Sequence, residues 1–153
     1  MSKQVLISDT SALIILSKLD KLFLLQELFD DIIITSIVQR EFGEELPNWI
    51  KIQNPLESST SKLLNIQLDP GEASAIALAL EKDNNPLLLI DERKGRKIAQ
   101  QLNLRTMGTL GVLLLAKKAG HLLYVKPILE EMINLDFRIS DDLIQSILKL
   151  AKE

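Results

Sequence analysis

The chain has no cysteine, a single histidine (His121) and few aromatics, 4% of its 153 residues. Without cysteine there is no disulfide scaffold, no Cys-ligated zinc and no thiol nucleophile. One histidine excludes a multi-histidine metal site. The scarcity of aromatics makes base stacking a minor term in any nucleic-acid contact. Long apolar runs are also missing. The stretch Ala12 to Leu16 covers five residues, far below the ~20 needed to cross a bilayer. Asp9 interrupts the apolar segment that an export signal would need, so a cytoplasmic protein without a membrane span is expected. The charge balance is 18 basic against 21 acidic residues, a net charge of −3. This argues against a surface coated with positive charge, but allows a local basic patch.

What is present alternates between short apolar runs and helical patterns. Val5-Leu6-Ile7 and Leu87 to Ile90 read as buried strands, Ile32-Ile33-Ile34 as a β-branched strand run, and Leu104 to Met107 as a fourth strand. Trp49 to Ile52 reads as a short edge strand. Helices are expected over 10–18, 20–29, 36–46, 69–82, 92–102, 110–119, 123–134 and 140–151. Ser36 is the expected N-cap of the third, with Gln39 as its capping-box partner. Residues 54–60 read as a loop or loose helix start. No repeat or linker divides the chain, so a single domain over 1–153 is expected. The alternation predicts an α/β protein, a three-layer α/β/α sandwich with a mainly parallel central sheet.

In such sheets the working site lies beyond the carboxyl ends of the strands. There the sequence places Ser8-Asp9-Thr10-Ser11, then Asp91-Glu92-Arg93, then Gly108-Thr109. Each acidic residue also has a purely structural reading. Asp9 could cap the helix from Thr10, and Asp91 the helix from Glu92. Glu72 could complete a capping box with Asp69 around Pro70. Glu41, near Glu44 and Glu45, could belong to a solvated face. Together, two carboxylates at strand ends and two near helix ends could form one acidic pocket. Two unit charges ~4 Å apart repel by roughly 4 kcal/mol at an effective dielectric near 20, so such a pocket takes up protons or a cation. Oxygen donors without nitrogen or sulfur suit Mg²⁺ or Mn²⁺, ions that assist phosphodiester cleavage.

Beside Asp91 begins a basic run of Arg93, Lys94, Arg96 and Lys97, followed by Arg105. It is either a solvated helix face or a grip on a polyanionic backbone. Arg93, Lys94, Arg96 and Lys97 are the candidates for that grip.

The opening Ile7 to Ile14, then Leu68-Asp69-Pro70-Gly71-Glu72-Ala73, Leu89 to Arg96, and Gly108 to Leu113, in this order and spacing, resemble PIN-domain proteins. The similarity is to a prokaryotic subgroup close to the VapC-like toxins of toxin–antitoxin pairs, and it extends to Phe137-Arg138-Ile139-Ser140. The resemblance implies a three-layer fold and Mg²⁺- or Mn²⁺-dependent cleavage of RNA. The family's four acidic positions fall on Asp9, Glu41, Glu72 and Asp91, of which Asp9, Glu72 and Asp91 are the expected metal ligands. Many relatives have Asp where Glu72 stands, and Glu44 or Glu45 could replace Glu41 in the register. Ser11 and Thr109 are the hydroxyls expected to orient carboxylate, water or phosphate, and Glu92 is a further candidate acid. The resemblance also implies an antitoxin protein as partner, and a homodimer formed in part by apolar residues of 122–150. The alternatives are a PIN-like nuclease of RNA processing or DNA, and a nucleic-acid-binding module without hydrolysis.

His121 offers no triad, since no serine lies in a nucleophile-elbow pattern. Gly108 to Gly111 lacks the Lys-Ser/Thr of a phosphate-binding loop. Trp49 reads as a packing anchor.

Overall fold

Three of the four strand runs alternate between two buried faces, whereas the fourth, with Arg105 exposed and Thr106 half-buried, lies at the sheet edge. Leu6, Ile32, Ile34, Leu87 and Leu89 belong to one core, while Val5, Ile7, Ile33, Leu88 and Ile90 belong to the other. A strand buried on both sides has no polar face, which is why these three runs carry no polar alternation. The computed structural model describes residues 4–153; residues 1–3 of the expected domain lie outside them. The strands are β1 (Val5–Ser8), β2 (Asp31–Ile34), β3 (Ile50–Ile52), β4 (Leu87–Leu89) and β5 (Arg105–Met107). They form one sheet of order β3-β2-β1-β4-β5, with every neighbouring pair parallel. The expected α/β/α sandwich with a parallel sheet is the observed fold.

Between the strands run α1 (Thr10–Lys18), α2 (Phe23–Leu28), α3 (Ser36–Phe42), α4 (Ser58–Leu64), α5 (Pro70–Leu80) and α6 (Arg93–Gln101). After β5 come α7 (Thr109–Lys118), α8 (Lys126–Asn134) and α9 (Asp141–Leu150). Helices α1, α2, α3, α7, α8 and α9 contribute to the first core, and α5 and α6 to the second. Helix α5 is buried at every position from Gly71 to Ala79. Its alanines keep it thin enough to lie between the sheet and the flanking α3 and α4.

Some boundaries differ from expectation. Helix α2 begins at Phe23 because Asp20 takes a left-handed conformation, φ 58°, that ends the preceding turn. Thr35, not Ser36, caps α3, its hydroxyl accepting from the Val38 N–H at 3.2 Å. Ser36 instead donates to Asn54 Oδ1 at 2.8 Å. Helix α3 stops at Phe42 rather than running to Leu46, because Gly43 closes it in the left-handed region at φ 76°. Glu44 and Glu45 are therefore outside the helix. Within 54–60, the segment from Ser58 onward is helical. Trp49 packs against the first core as expected. His121 is near the surface, its Nδ1 4.0 Å from Glu27 Oε2. Among the described residues no helix is long and apolar enough to cross a membrane.

The last residue fastens the helices of the first face. Glu153 Oε2 accepts from the Val125 N–H at 2.7 Å and from Lys117 Nζ at 2.9 Å, and Oε1 from the Lys126 N–H at 3.1 Å. The carboxylate thus caps α8 and ties it to α7. Burial acts to raise its pKa, but these donors outweigh burial and hold it below the usual range. Glu153→Ala is expected to destabilise the fold by about 2 kcal/mol in urea unfolding at neutral pH, the scale for hydrogen bonds to a charged group. A depressed folded-state pKa gives stability that is present above the unfolded value and lost as pH falls through the folded one. The deficit of the variant should therefore shrink in acid.

Candidate active site

The chain leaves β1 toward β2 and later crosses back to β4 on the other side of β1. That reversal opens a crevice at the carboxyl ends of β1 and β4. The Asp9 N–H donates to Leu89 O at 2.9 Å, so the residue after β1 is stitched to β4. Asp9 is 1% exposed. Its Oδ1 accepts the Ala12 N–H at 3.0 Å and caps α1, while Oδ2 is buried with no hydrogen-bond partner. The structural reading of Asp9 as a cap thus accounts for one of its two oxygens.

Asp91 follows β4. Its Oδ1 accepts the Thr109 N–H and its Oδ2 the Thr109 hydroxyl, each at 2.6 Å. It therefore receives the first turn of α7 and not α6, whose N-cap is Glu92 with no side-chain cap bond. Thr109 is fully buried. Gly108 clears space beside this pair: a Cβ there would lie 3.0 Å from Asp91 Oδ1 and 3.3 Å from Arg96 Nη1.

The start of α5 supplies the next acids. Asp69 Oδ1 accepts the Glu72 N–H at 2.8 Å, the expected cap. The Glu72 side chain is buried, and its Oε2 has no hydrogen-bond partner. Asp69, Glu72 and Glu92 each present an oxygen within 4.8 Å of the others. Glu41, exposed on α3, accepts the Thr10 hydroxyl on Oε1 at 2.5 Å and lies against the backbone of Gly71. Two buried hydroxyls join α3 to α5. Thr35 Oγ1 and Ser74 Oγ are 2.6 Å apart, and Ser74 also donates to Gly71 O at 2.9 Å.

The expected residues thus gather at one end of the sheet, in a grouping the sequence did not show. Glu72 is clustered with Asp69 and Glu92, while Asp9 and Asp91 form a neighbouring pair whose charges act on each other. Asp69 acts on both Asp9 and Glu72. The sequence reading assigned Asp69 only a capping role; its three-residue spacing from Glu72 was the available signal for more. Ser11 is exposed in α1, and Thr10 is the neighbouring hydroxyl that bonds a carboxylate. Arg93, Lys94 and Lys97 are exposed on α6, and Arg96 is half-buried next to Asp91.

Burial pushes the Asp9 carboxyl up to about 7, with the Ala12 and Asp91 backbone N–H groups opposing it and the Asp91 and Asp69 charges adding to it. Burial pushes Glu72 to about 9, reinforced by Asp69 and Glu92. A buried carboxylate oxygen without a donor is costly, and a proton or a cation relieves it. Two such orphaned oxygens, in an all-oxygen set, fit a hard divalent cation such as Mg²⁺ or Mn²⁺.

The raised values fix the sign of a pH dependence. The folded protein keeps protons on Asp9 and Glu72 that the unfolded chain has already released above the ordinary carboxylate range. Stability without metal therefore falls as pH rises, toward about 7 through Asp9 and about 9 through Glu72. Metal-free protein should melt higher at mildly acidic pH than at mildly alkaline pH, as followed by circular dichroism. Glu72→Gln should flatten that slope and raise the alkaline melting temperature.

Among curated proteins, none matches this chain. A family model described as a PIN domain matches residues 5–153, which include all five strands, all nine helices of the described residues and every acid of the crevice. The chain belongs to the PIN-domain family.

Proposed function

We propose that the chain is a metal-dependent endoribonuclease that cleaves RNA phosphodiester bonds and serves as the toxin of a toxin–antitoxin pair. PIN domains are generally nucleases. The observation that carries the reading is the pair of buried, unpartnered oxygens, Asp9 Oδ2 and Glu72 Oε2, in a crevice of further carboxylates. Structural acids are ordinarily satisfied by donors; these two are held as if for a cation.

Asp69, Glu72 and Glu92, with Asp9 and Asp91 beside them, would hold Mg²⁺ or Mn²⁺. Such an ion, when bound, lowers the pKa of a water and offsets charge on a phosphate. The rest is the work of the chain's own groups. Thr109 fixes both oxygens of Asp91, and Thr10 fixes Glu41. Arg93, Lys94 and Lys97 meet backbone phosphates along α6. Arg96, whose Nη1 shares the space over Gly108 with Asp91 Oδ1, meets a phosphate at the acidic pocket itself. The toxin assignment, the antitoxin partner and the homodimer rest on the resemblance of the sequence motifs. For the homodimer, Leu123, Ile133 and Leu143 remain exposed, while Val125, Ile128, Leu129 and Ile147 are used by the core.

Asp9→Asn keeps the shape and the cap but removes a charge. It should lower cleavage of a structured RNA in Mn²⁺ at least 100-fold, with an unchanged or higher melting temperature. Induced expression of the wild type, but not of this variant, should arrest bacterial growth. Cleavage at the wild-type rate by the folded variant would return Asp9 to the role of a cap.

Reversing Arg93 and Arg96 to Glu should weaken RNA binding and flatten its salt dependence, since each phosphate contact releases counterions. Filter binding across a salt series measures the slope, and an unchanged slope would make this face merely solvated.

A further inference from the structure

Gly95 lies in the first turns of α6, within the basic sequence Arg93-Lys94-Gly95-Arg96-Lys97. Its conformation is ordinary helix, so no unusual backbone angle calls for glycine. Glycine is among the poorest helix formers, and four neighbours with long side chains show that the outer face tolerates bulk. The reason lies on the inner face. A Cβ on Gly95 would stand 2.5 Å from Glu72 Oε2 and 2.7 Å from Ile90 Cδ1. The Glu72 oxygen is one of the two buried without a partner. The missing side chain of α6 is thus the space in which the carboxylate end of Glu72 rests.

We propose that Gly95 is a positioning residue for the acidic site, whose lack of a side chain lets the Glu72 carboxylate lie against α6 beside Glu92. This rests on the metal-site reading and adds the element that fixes where one of its two buried carboxylates can stand. The nearest atoms a methyl group there would meet are the ends of two buried side chains, the Glu72 carboxyl and Ile90 Cδ1. The fold can absorb it by turning them aside, whereas the site cannot, because the displaced atom is the ligand oxygen. Stability and ligand affinity should therefore respond in opposite directions. Alanine favours the helix over glycine, while displacing a ligand oxygen weakens metal binding. Mutating residues that orient metal ligands typically costs 10–100-fold in affinity.

The test uses Mn²⁺ alone as probe, titrated calorimetrically into wild type, Gly95→Ala, Ile90→Val and the double variant, with thermal melts of each without metal. Ile90→Val removes Cδ1, so the double variant retains only the contact with Glu72. The expected result is a Mn²⁺ affinity at least tenfold weaker in Gly95→Ala and in the double variant. Ile90→Val alone should bind like wild type, and the metal-free melting temperature of the double variant should be equal to or above that of Ile90→Val. Wild-type affinity in Gly95→Ala would overturn the positioning role and leave the metal site standing. Recovery of affinity in the double variant would assign the effect to packing on Ile90 and overturn it as well. A double variant that melts well below Ile90→Val would make Gly95 a packing residue, again against the proposal. Absence of Mn²⁺ binding by folded wild type would instead remove the metal site, and the role of Gly95 with it.

Discussion

A carboxyl oxygen removed from water and given no partner is costly, and this protein buries two of them within one crevice, Asp9 Oδ2 and Glu72 Oε2. Much of the surrounding architecture keeps those oxygens in place. Asp9 is stitched to β4 through its own N–H and tied to α1 through its other oxygen. Glu72 is carried by a helix that is buried along nearly its whole length. Such groups persist only where the rest of the fold over-determines their position. The parallel sheet, with a hydrophobic core on each face, provides that constraint.

The strand order decides where the strain is placed. Because β1 and β4 are neighbours, the residues that follow them meet although they are far apart in the chain. The start of α7 reaches the same edge, and its first N–H and hydroxyl give each oxygen of Asp91 a donor. One aspartate of the pair is thus held by donors and the other keeps a free oxygen. Around them glycines serve as relief. Gly71 admits Glu41, Gly95 admits Glu72, and Gly108 admits Asp91 together with Arg96. None of these three has a positive φ; in each the need is for space rather than for an unusual turn.

Charge is arranged on the same principle. The chain is acidic overall, yet α6 opens beside the crevice with a basic face. A polyanion is repelled by the carboxylates and attracted by the residues that follow them in sequence.

The sequence by itself determined the layers, the parallel sheet and the family motifs. These depend on local apolar runs, caps and spacing, which are written in neighbouring residues. Asp9, Glu72 and Asp91 were legible because they directly follow strands or open a helix. Tertiary structure alone decided how they associate. Asp91 looked like a cap for α6 and serves α7, eighteen residues onward, because a carboxylate binds the nearest free N–H in space rather than in sequence. Asp69 and Glu92 looked like helix ends and became neighbours of Glu72, because β4 and α6 fold back over the start of α5. Ser11 was the hydroxyl expected to orient a carboxylate, but the turn of α1 exposes it and aims Thr10 at Glu41 instead. Which oxygens would remain unpartnered could not be read from the chain, since a hydrogen-bond vacancy is a property of everything packed around an atom and not of the residue that carries it.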